Sequence, residues 1–339
     1  MRYWNGWGVE NSEYAIEIGE SALQVLGSLI GTATPLPTAT LEQVMDKVPP
    51  SRLPEHPLVD TGAEVRVRHA RGQSLPDVID MRCGGVDTFP DGVAFPASGA
   101  EVRALIDYAV ENDVQLIPYG GGTSVVGHVN PVAGERPVLT IDMGRMDRLL
   151  HLDRDSQVAT FGAGTAGPAR EDQLQREGFS LGHFPPSWEL STVGGWVASR
   201  SSGQQSLRYG RIEQMFAGGT VETQAGTLEI PTIPASSAGP DLREMIMGSE
   251  GRMGIISEVK VRVTPLPEHE SVHVMFVPGW REGAAATRLL AQGRVQLSMG
   301  RLSNELETMT LLLTADADLV SELDQHLSAN GIGDTRVMM

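Results

Sequence analysis

An apolar strand that runs directly into three consecutive glycines constrains this chain more than any other feature. Val114–Tyr119 has strand character and leads into Pro118-Tyr119-Gly120-Gly121-Gly122-Thr123-Ser124. Successive glycines reach backbone angles closed to other residues and bring amide N–H groups close to a ligand, so this loop is suited to phosphate oxygens. Thr123 and Ser124 add hydroxyl donors, completing a neutral cradle that needs no lysine. Upstream, Gly92–Phe95 reads as a short strand and Ser98 and Glu101 stand at capping-box spacing. Val102, Leu105, Ile106, Ala109 and Val110 then fall on one helical face. Strand, helix, strand and glycine loop make a β-α-β unit that presents a nucleotide site.

Three more strands are expected at Val138–Asp142, Arg148–Asp153 and Gln157–Phe161, read as an antiparallel meander. A helix follows near Ala169–Glu177 and a strand around Ser180–His183. Phe216–Ile230 reads as a hairpin turning at Gln224-Ala225-Gly226, and Gly254–Val263 as an alternating strand ending at Pro265. Together these predict an α+β domain over residues 86–266. Residues 1–85 read as an N-terminal extension: a helix over Ser12–Leu29, a Pro/Thr linker at Ala33–Pro37, and a second helix opened by Thr40 and Gln43. Residues 267–339 start a strand-helix-strand-helix pattern, with strands at Val272–Phe276 and Met309–Thr314 and helices at Glu282–Gln292 and Ala317–Ala329. Two strands give a small sheet with open edges, so this second domain is expected to be incomplete.

Three further segments carry candidate chemistry. Gly162-Ala163-Gly164-Thr165-Ala166-Gly167 satisfies the dinucleotide fingerprint, but no acidic residue ends the next strand and the preceding strands are not β-α-β. A tight strand-to-helix turn is the preferred reading, one that can still border a ligand. His183-Phe184-Pro185-Pro186-Ser187-Trp188-Glu189-Leu190-Ser191-Thr192-Val193-Gly194-Gly195-Trp196 runs on to Ser199-Arg200-Ser201-Ser202. Its hydroxyls and amides suit a diphosphate and a polyol chain, Arg200 suits a phosphate or substrate anion, and Trp196 reads as a core anchor. Gly248-Ser249-Glu250-Gly251-Arg252-Met253-Gly254-Ile255-Ile256 joins a helix end, a glycine turn and a strand start, so its amides can reach a ligand edge.

Composition removes several function classes. With 43 acidic against 26 basic residues the formal charge is −17, and no Lys/Arg run is present to neutralise nucleic-acid phosphates. Cys83 is the single cysteine, which excludes an internal disulfide and a thiolate cluster and points to a cytoplasmic location. The start Met1-Arg2-Tyr3-Trp4 lacks the pattern of a signal peptide. His269 and His273 have helical spacing at an expected strand start, so no metal site is expected.

The four segments, in this order, resemble the PCMH-type FAD-binding domain of the vanillyl-alcohol-oxidase superfamily. Trp4-Asn5-Gly6-Trp7-Gly8, Arg68-His69-Ala70-Arg71-Gly72-Gln73-Ser74-Leu75-Pro76-Asp77 and Ser191–Trp196 narrow the resemblance to bacterial alkyldihydroxyacetonephosphate synthases. That resemblance implies a two-subdomain FAD-binding domain with an N-terminal helical extension and the beginning of an α/β cap. FAD contacts would fall on Pro118–Ser124, Pro186–Thr192, Ser199–Ser202 and Glu250–Ile256. Pro186 stands where some relatives carry an acid. Thr123 stands where relatives with covalent flavin carry histidine, which implies dissociable FAD. The implied reaction exchanges the acyl group of acyl-dihydroxyacetone phosphate for a fatty alcohol, in ether lipid synthesis, by a transferase with an oxidoreductase fold. A homodimer and peripheral membrane contact would fit the family. The family's catalytic tyrosine and histidine cluster have no counterpart that can be placed here. Two other readings stay open: an FAD-dependent oxidase or dehydrogenase of a 2-hydroxy acid such as D-lactate or glycolate, and a C-terminally truncated flavin-binding module without catalysis.

Overall fold

The computed structural model describes residues 2–9, 19–31, 34, 36–234, 237–313, 315–333 and 335–339. They form two compact units. The first holds Leu36–Gln204 and Tyr209–Leu266 together with the N-terminal Arg2–Val9 bridge, and the second holds the helix Glu20–Ile30, Gln205–Arg208 and the described residues of Pro267–Met339.

The first unit is mixed α+β and contains two main sheets. β1 (Val59–Asp60), β2 (Gly92–Ala94), β3 (Gln115–Tyr119) and β4 (Val138–Asp142) form one, in the order β1-β2-β4-β3, with β2, β4 and β3 mutually parallel. β4 was expected in an antiparallel meander with the strands that follow; instead it is buried between two parallel neighbours, as its apolar run Val138-Leu139-Thr140-Ile141 requires. β5 (Leu149–Asp153), β6 (Val158–Gly162), β8 (Phe216–Thr223), β9 (Gly226–Ile230) and β10 (Ile255–Arg262) form an antiparallel sheet ordered β5-β6-β10-β8-β9. β7 (Phe179–Ser180) pairs with β11 (Thr264–Pro265) and does not extend to His183, because Gly182 turns the chain at φ 70°.

The helix Gly99–Glu111 buries Val102, Leu105, Ile106 and Ala109 as its periodicity predicts, but Val110 is exposed and Tyr108 takes the core position, donating its phenol to the Pro54 carbonyl at 2.8 Å. Ser98 caps this helix by accepting from the Glu101 amide, whereas the Glu101 carboxylate reaches one residue further than a capping box and accepts from Ala97. A second core surrounds Trp196, Phe161, Phe216 and Val259 on the antiparallel sheet. Asp91 ties the extension to the first sheet. It accepts from Arg52 Nε at 2.8 Å and Arg52 Nη2 at 2.7 Å, and from the Val138 amide of β4 at 2.8 Å. Burial alone would raise its carboxyl, and these bonds outweigh that and hold it below the usual carboxylate range.

The extension contains two helices that the periodicity did not reveal, Ala63–Arg68 and Leu75–Cys83. The second opens on a capping box between Ser74 and Asp77. The Thr40–Gln43 box is present at the helix Leu41–Met45. The expected helix at Ser12–Leu29 has its first half outside the described residues, and the described part is Glu20–Ile30.

In the second unit the helices Trp280–Gln292 and Ala317–Ala329 lie where they were expected. The strand expected at Met309–Thr314 is instead the end of a helix, Glu305–Leu313, and Thr314 lies outside the described residues. Asn304 caps this helix: its Oδ1 accepts from the Glu307 amide at 2.8 Å, at the head of a run whose apolar residues carry no period-2 alternation. Of Val272–Phe276 only Phe276 is in a strand, β12 (Phe276–Val277), which pairs with β13 (Val337–Met338).

Candidate functional site

The glycine loop leaves the carboxyl end of β3, and Met143 lies just past the end of β4 beside it. In open parallel sheets ligands bind outside strand carboxyl ends. A cavity of about 350 Å³ opens there, within the size range of small-molecule clefts. It gathers segments far apart in the sequence: all of Pro118–Ser124, then Ser187, Ser191 and Thr192, then Ser199 and Ser201, and Glu250, Gly251, Gly254, Ile255 and Ile256. Pro186, Trp188, Glu189, Leu190, Arg200, Ser202, Arg252 and Met253 are not among the lining residues. Arg200 turns away, donating to the Met247 carbonyl at 3.1 Å and pairing with Glu244 at 2.7 Å. The sequence reading had not singled out Val125, Val126, His128, Val129 or Met143, which also line the space. No lysine or arginine lines it among the described residues.

Glycine is required here for packing. A β-carbon at Gly120 would overlap the Thr192 hydroxyl and one at Gly121 the Leu190 carbonyl oxygen, so the loop lies flush against the 190–192 segment. Gly122 has φ 60° and covers the Tyr119 phenol, which a side chain there would overlap. Thr192 caps the helix Val193–Ser199 through the Gly195 amide, and Gly194 lets that helix approach Ala163. The Gly162–Gly167 stretch is the tight turn preferred from sequence. Gly162, Gly164 and Gly167 each meet backbone where a β-carbon would stand, and only Ala163 reaches the cavity.

The Arg68–Asp77 segment braces the glycine loop from outside the cavity. The Gln73 amide donates to the Ser124 carbonyl at 2.6 Å, and the Gly72 amide to Asn130 Oδ1 at 2.8 Å. Asn130 in turn donates to Asp77 at 2.8 Å. His69 packs on Tyr119 with ring centroids 4.6 Å apart, and its nitrogens meet the Val65 carbonyl at 2.7 Å and Asp142 at 2.8 Å. Burial pushes the Tyr119 phenol up, opposed by the Arg2 guanidinium and reinforced by Asp142. Two of the three segments that narrow the resemblance, Trp4–Gly8 and Arg68–Asp77, meet at a second, smaller cavity of about 210 Å³. Trp4, Asn5, His69 and Gln73 line it, and it shares Tyr119 and Gly120 with the first.

Residues 90–230 match the family described as FAD binding domain. The chain carries a PCMH-type FAD-binding domain. It is 39% identical over 243 residues to the alkyldihydroxyacetonephosphate synthase of Dictyostelium discoideum, covering 72% of this chain and 40% of that relative. Identity is 34% to the synthase of Trypanosoma brucei brucei, over 85% of this chain and 49% of that one. The chain therefore spans about half the length of the curated relatives it matches. A solved alkyldihydroxyacetonephosphate synthase structure superposes with a TM-score of 0.84 at 28% identity, over 99% of this chain and 68% of that one. The mitochondrial D-lactate dehydrogenase [cytochrome] of Arabidopsis thaliana is 30% identical over 222 residues, 64% of this chain and 38% of that relative.

The residues present fit FAD. Three glycines whose β-carbon positions are blocked, the hydroxyls of Thr123, Ser124, Ser187, Ser191, Thr192, Ser199 and Ser201, and a wall of Val125, Val126, Val129, Met143, Ile255 and Ile256 combine neutral donors for a diphosphate with apolar surface for a ring system.

Against the cavity-lining Ser201 and Trp196, His183 is fully buried. Its Nε2 lies 2.7 Å from Ser201 Oγ and its ring meets Trp196 edge-on at 4.9 Å. Burial first and the Arg170 charge second push its pKa down to about 3. Folded His183 therefore stays neutral where the unfolded chain's histidine, at its ordinary value of 6.5, takes up a proton. Its contribution to stability is complete above that value and is lost as pH falls toward about 3. Between pH 7 and pH 5 the loss is on the order of 2 kcal/mol. Urea midpoints at both pH values should fall further for the natural chain than for His183→Gln; parallel falls would contradict a neutral buried ring.

Proposed function

We propose that this chain binds FAD non-covalently and works as an alkyldihydroxyacetonephosphate-synthase-like enzyme, exchanging the acyl group of acyl-dihydroxyacetone phosphate for a fatty alcohol and releasing a fatty acid. The observation that carries this reading is the cavity itself: residues from each of the four segments expected to contact FAD line it, and Gly72 and Gln73 of the Arg68–Asp77 segment brace its glycine loop. Similarity to three synthases at 31–39% identity supports the same reading.

When bound, FAD supplies the reactive ring system that no side chain provides. The amides of Gly120, Gly121 and Gly122 and the hydroxyls of Thr123, Ser124 and Thr192 would hold the diphosphate. Ser187, Ser191, Ser199 and Ser201 would supply further hydroxyl partners along the cofactor, and Val125, Val126, Met143, Ile255 and Ile256 would exclude water from the ring. Thr123 cannot form the histidyl–flavin bond of covalent relatives. Acid precipitation of the FAD-loaded chain should leave the flavin in the supernatant; colour retained in the pellet would refute dissociable binding.

The activity is tested by incubating the FAD-loaded chain with acyl-dihydroxyacetone phosphate and isotope-labelled fatty alcohol. Label appearing in an ether product, with one fatty acid released per ether formed, supports the synthase reading, and its absence counts against it. The D-lactate dehydrogenase similarity supports a second reading, oxidation of a 2-hydroxy acid. It would be recognised by D-lactate alone bleaching the flavin absorption without added alcohol.

A further inference from the structure

We infer that His128 and Glu250 clasp two lining segments of the cofactor cavity together and thereby set how tightly FAD is held; the inference rests on the FAD reading above. His128 lies four residues beyond the glycine loop in the same β3–β4 connection, and its Nδ1 is 3.1 Å from Ser124 Oγ and 3.5 Å from Glu250 Oε2. Glu250 belongs to the turn that precedes β10, and all three residues line the cavity. Nδ1 thus faces both a hydroxyl and a carboxylate, and Nε2 has no partner among the described residues.

Two features make this contact more than an incidental surface pair. His128 and Glu250 are the only imidazole and carboxylate among the described lining residues, where no lysine or arginine is present, and they face each other at 3.5 Å. Glu250 also sits at φ 51°, a left-handed conformation that disfavours any residue but glycine. Its amide donates to the Ala198 carbonyl at 3.0 Å, and the following Gly251 packs so closely on Pro118 that a β-carbon would come within 2.8 Å of the proline ring. The backbone thus accepts strain at the residue whose carboxylate faces His128. Linking the two segments before the cofactor arrives lowers the ordering cost of binding, and such gains are read mainly in the dissociation rate.

The test uses the full chain, FAD as the probe, and rapid-mixing fluorescence to follow release from the natural protein, His128→Gln, Glu250→Gln and the double variant. Glutamine keeps the size of both side chains and the backbone demand at position 250. With side chains 29% and 32% exposed, each single variant should release FAD about three- to fivefold faster. Association rates and thermal midpoints should stay unchanged, and the double variant should be no faster than either single one. Release at the natural rate, or single effects that multiply in the double variant, would overturn the clasp while leaving FAD binding in place. A natural chain that takes up no FAD would overturn both readings.

Discussion

Replacing Gly121 by alanine is expected to abolish useful FAD binding, raising Kd by at least about 100-fold, or about 2.7 kcal/mol. The β-carbon would occupy the position of the Leu190 carbonyl oxygen, with Ser191 Cα also within contact. Both obstacles are backbone, so no side-chain rotation relieves the overlap. Either the glycine loop lifts off the 190–192 segment or that segment retreats, and each movement parts the two sides of the diphosphate cradle. Gly134 is the matched control: a β-carbon there meets nothing within 4 Å and its φ is not in the left-handed region, so Gly134→Ala should bind FAD as the natural chain does. Isothermal titration with FAD distinguishes the two variants, and equal affinities would show that the close approach at Gly121 has no part in binding.

Trp196→Ala should produce the largest loss of stability, about 3–5 kcal/mol, as expected for removing a large buried aromatic side chain. Trp196 is 1% exposed. Its indole N–H donates to Ser191 Oγ at 2.7 Å, and the Arg170 guanidinium lies 5.1 Å from its ring. Truncation would also remove one contact of that guanidinium, whose Nε and Nη1 already lack partners among the described residues and whose pKa burial pushes down to about 10. Trp196→Phe keeps most of the volume and removes the indole donor, and should cost less, about 1–2 kcal/mol. Guanidinium midpoints that place the phenylalanine variant beside alanine would shift the weight from packing to the Ser191 bond. Because Trp196 also lines the cavity, the alanine variant should lose FAD along with stability.

Local chemistry made much of this legible in the sequence. The turn at Gln224-Ala225-Gly226, the alternation of β10 and the capping residues Thr40 and Ser98 are short-range signals, and the structure realises each of them. What failed depended on partners elsewhere in the chain. β4 could not be placed in the parallel sheet without knowing that β2 and β3 flank it. Val110 lies on the apolar stripe of its helix, yet the packing around Pro54 selects Tyr108. Met309–Thr314 reads as a strand on β-branched and apolar content, and the Asn304 cap decides for helix.

The same division holds at the site. Glycine loops announce themselves, because few other sequences permit such backbone approach. Arg200 was attractive as an anion ligand on residue type alone, but the structure commits it to Glu244 and the Met247 carbonyl. His128 carried no motif, and only the fold brings it opposite Glu250. His183 was legible as part of a dense segment, whereas its burial and its bond to Ser201 were not.

We propose that this chain builds its own FAD site. Reconstituting the purified chain with FAD, removing the excess and recording the visible spectrum tests it most directly. Flavin bands at one FAD per chain, absent in Gly121→Ala and retained in Gly134→Ala, are the predicted result. A colourless natural chain after reconstitution would contradict it.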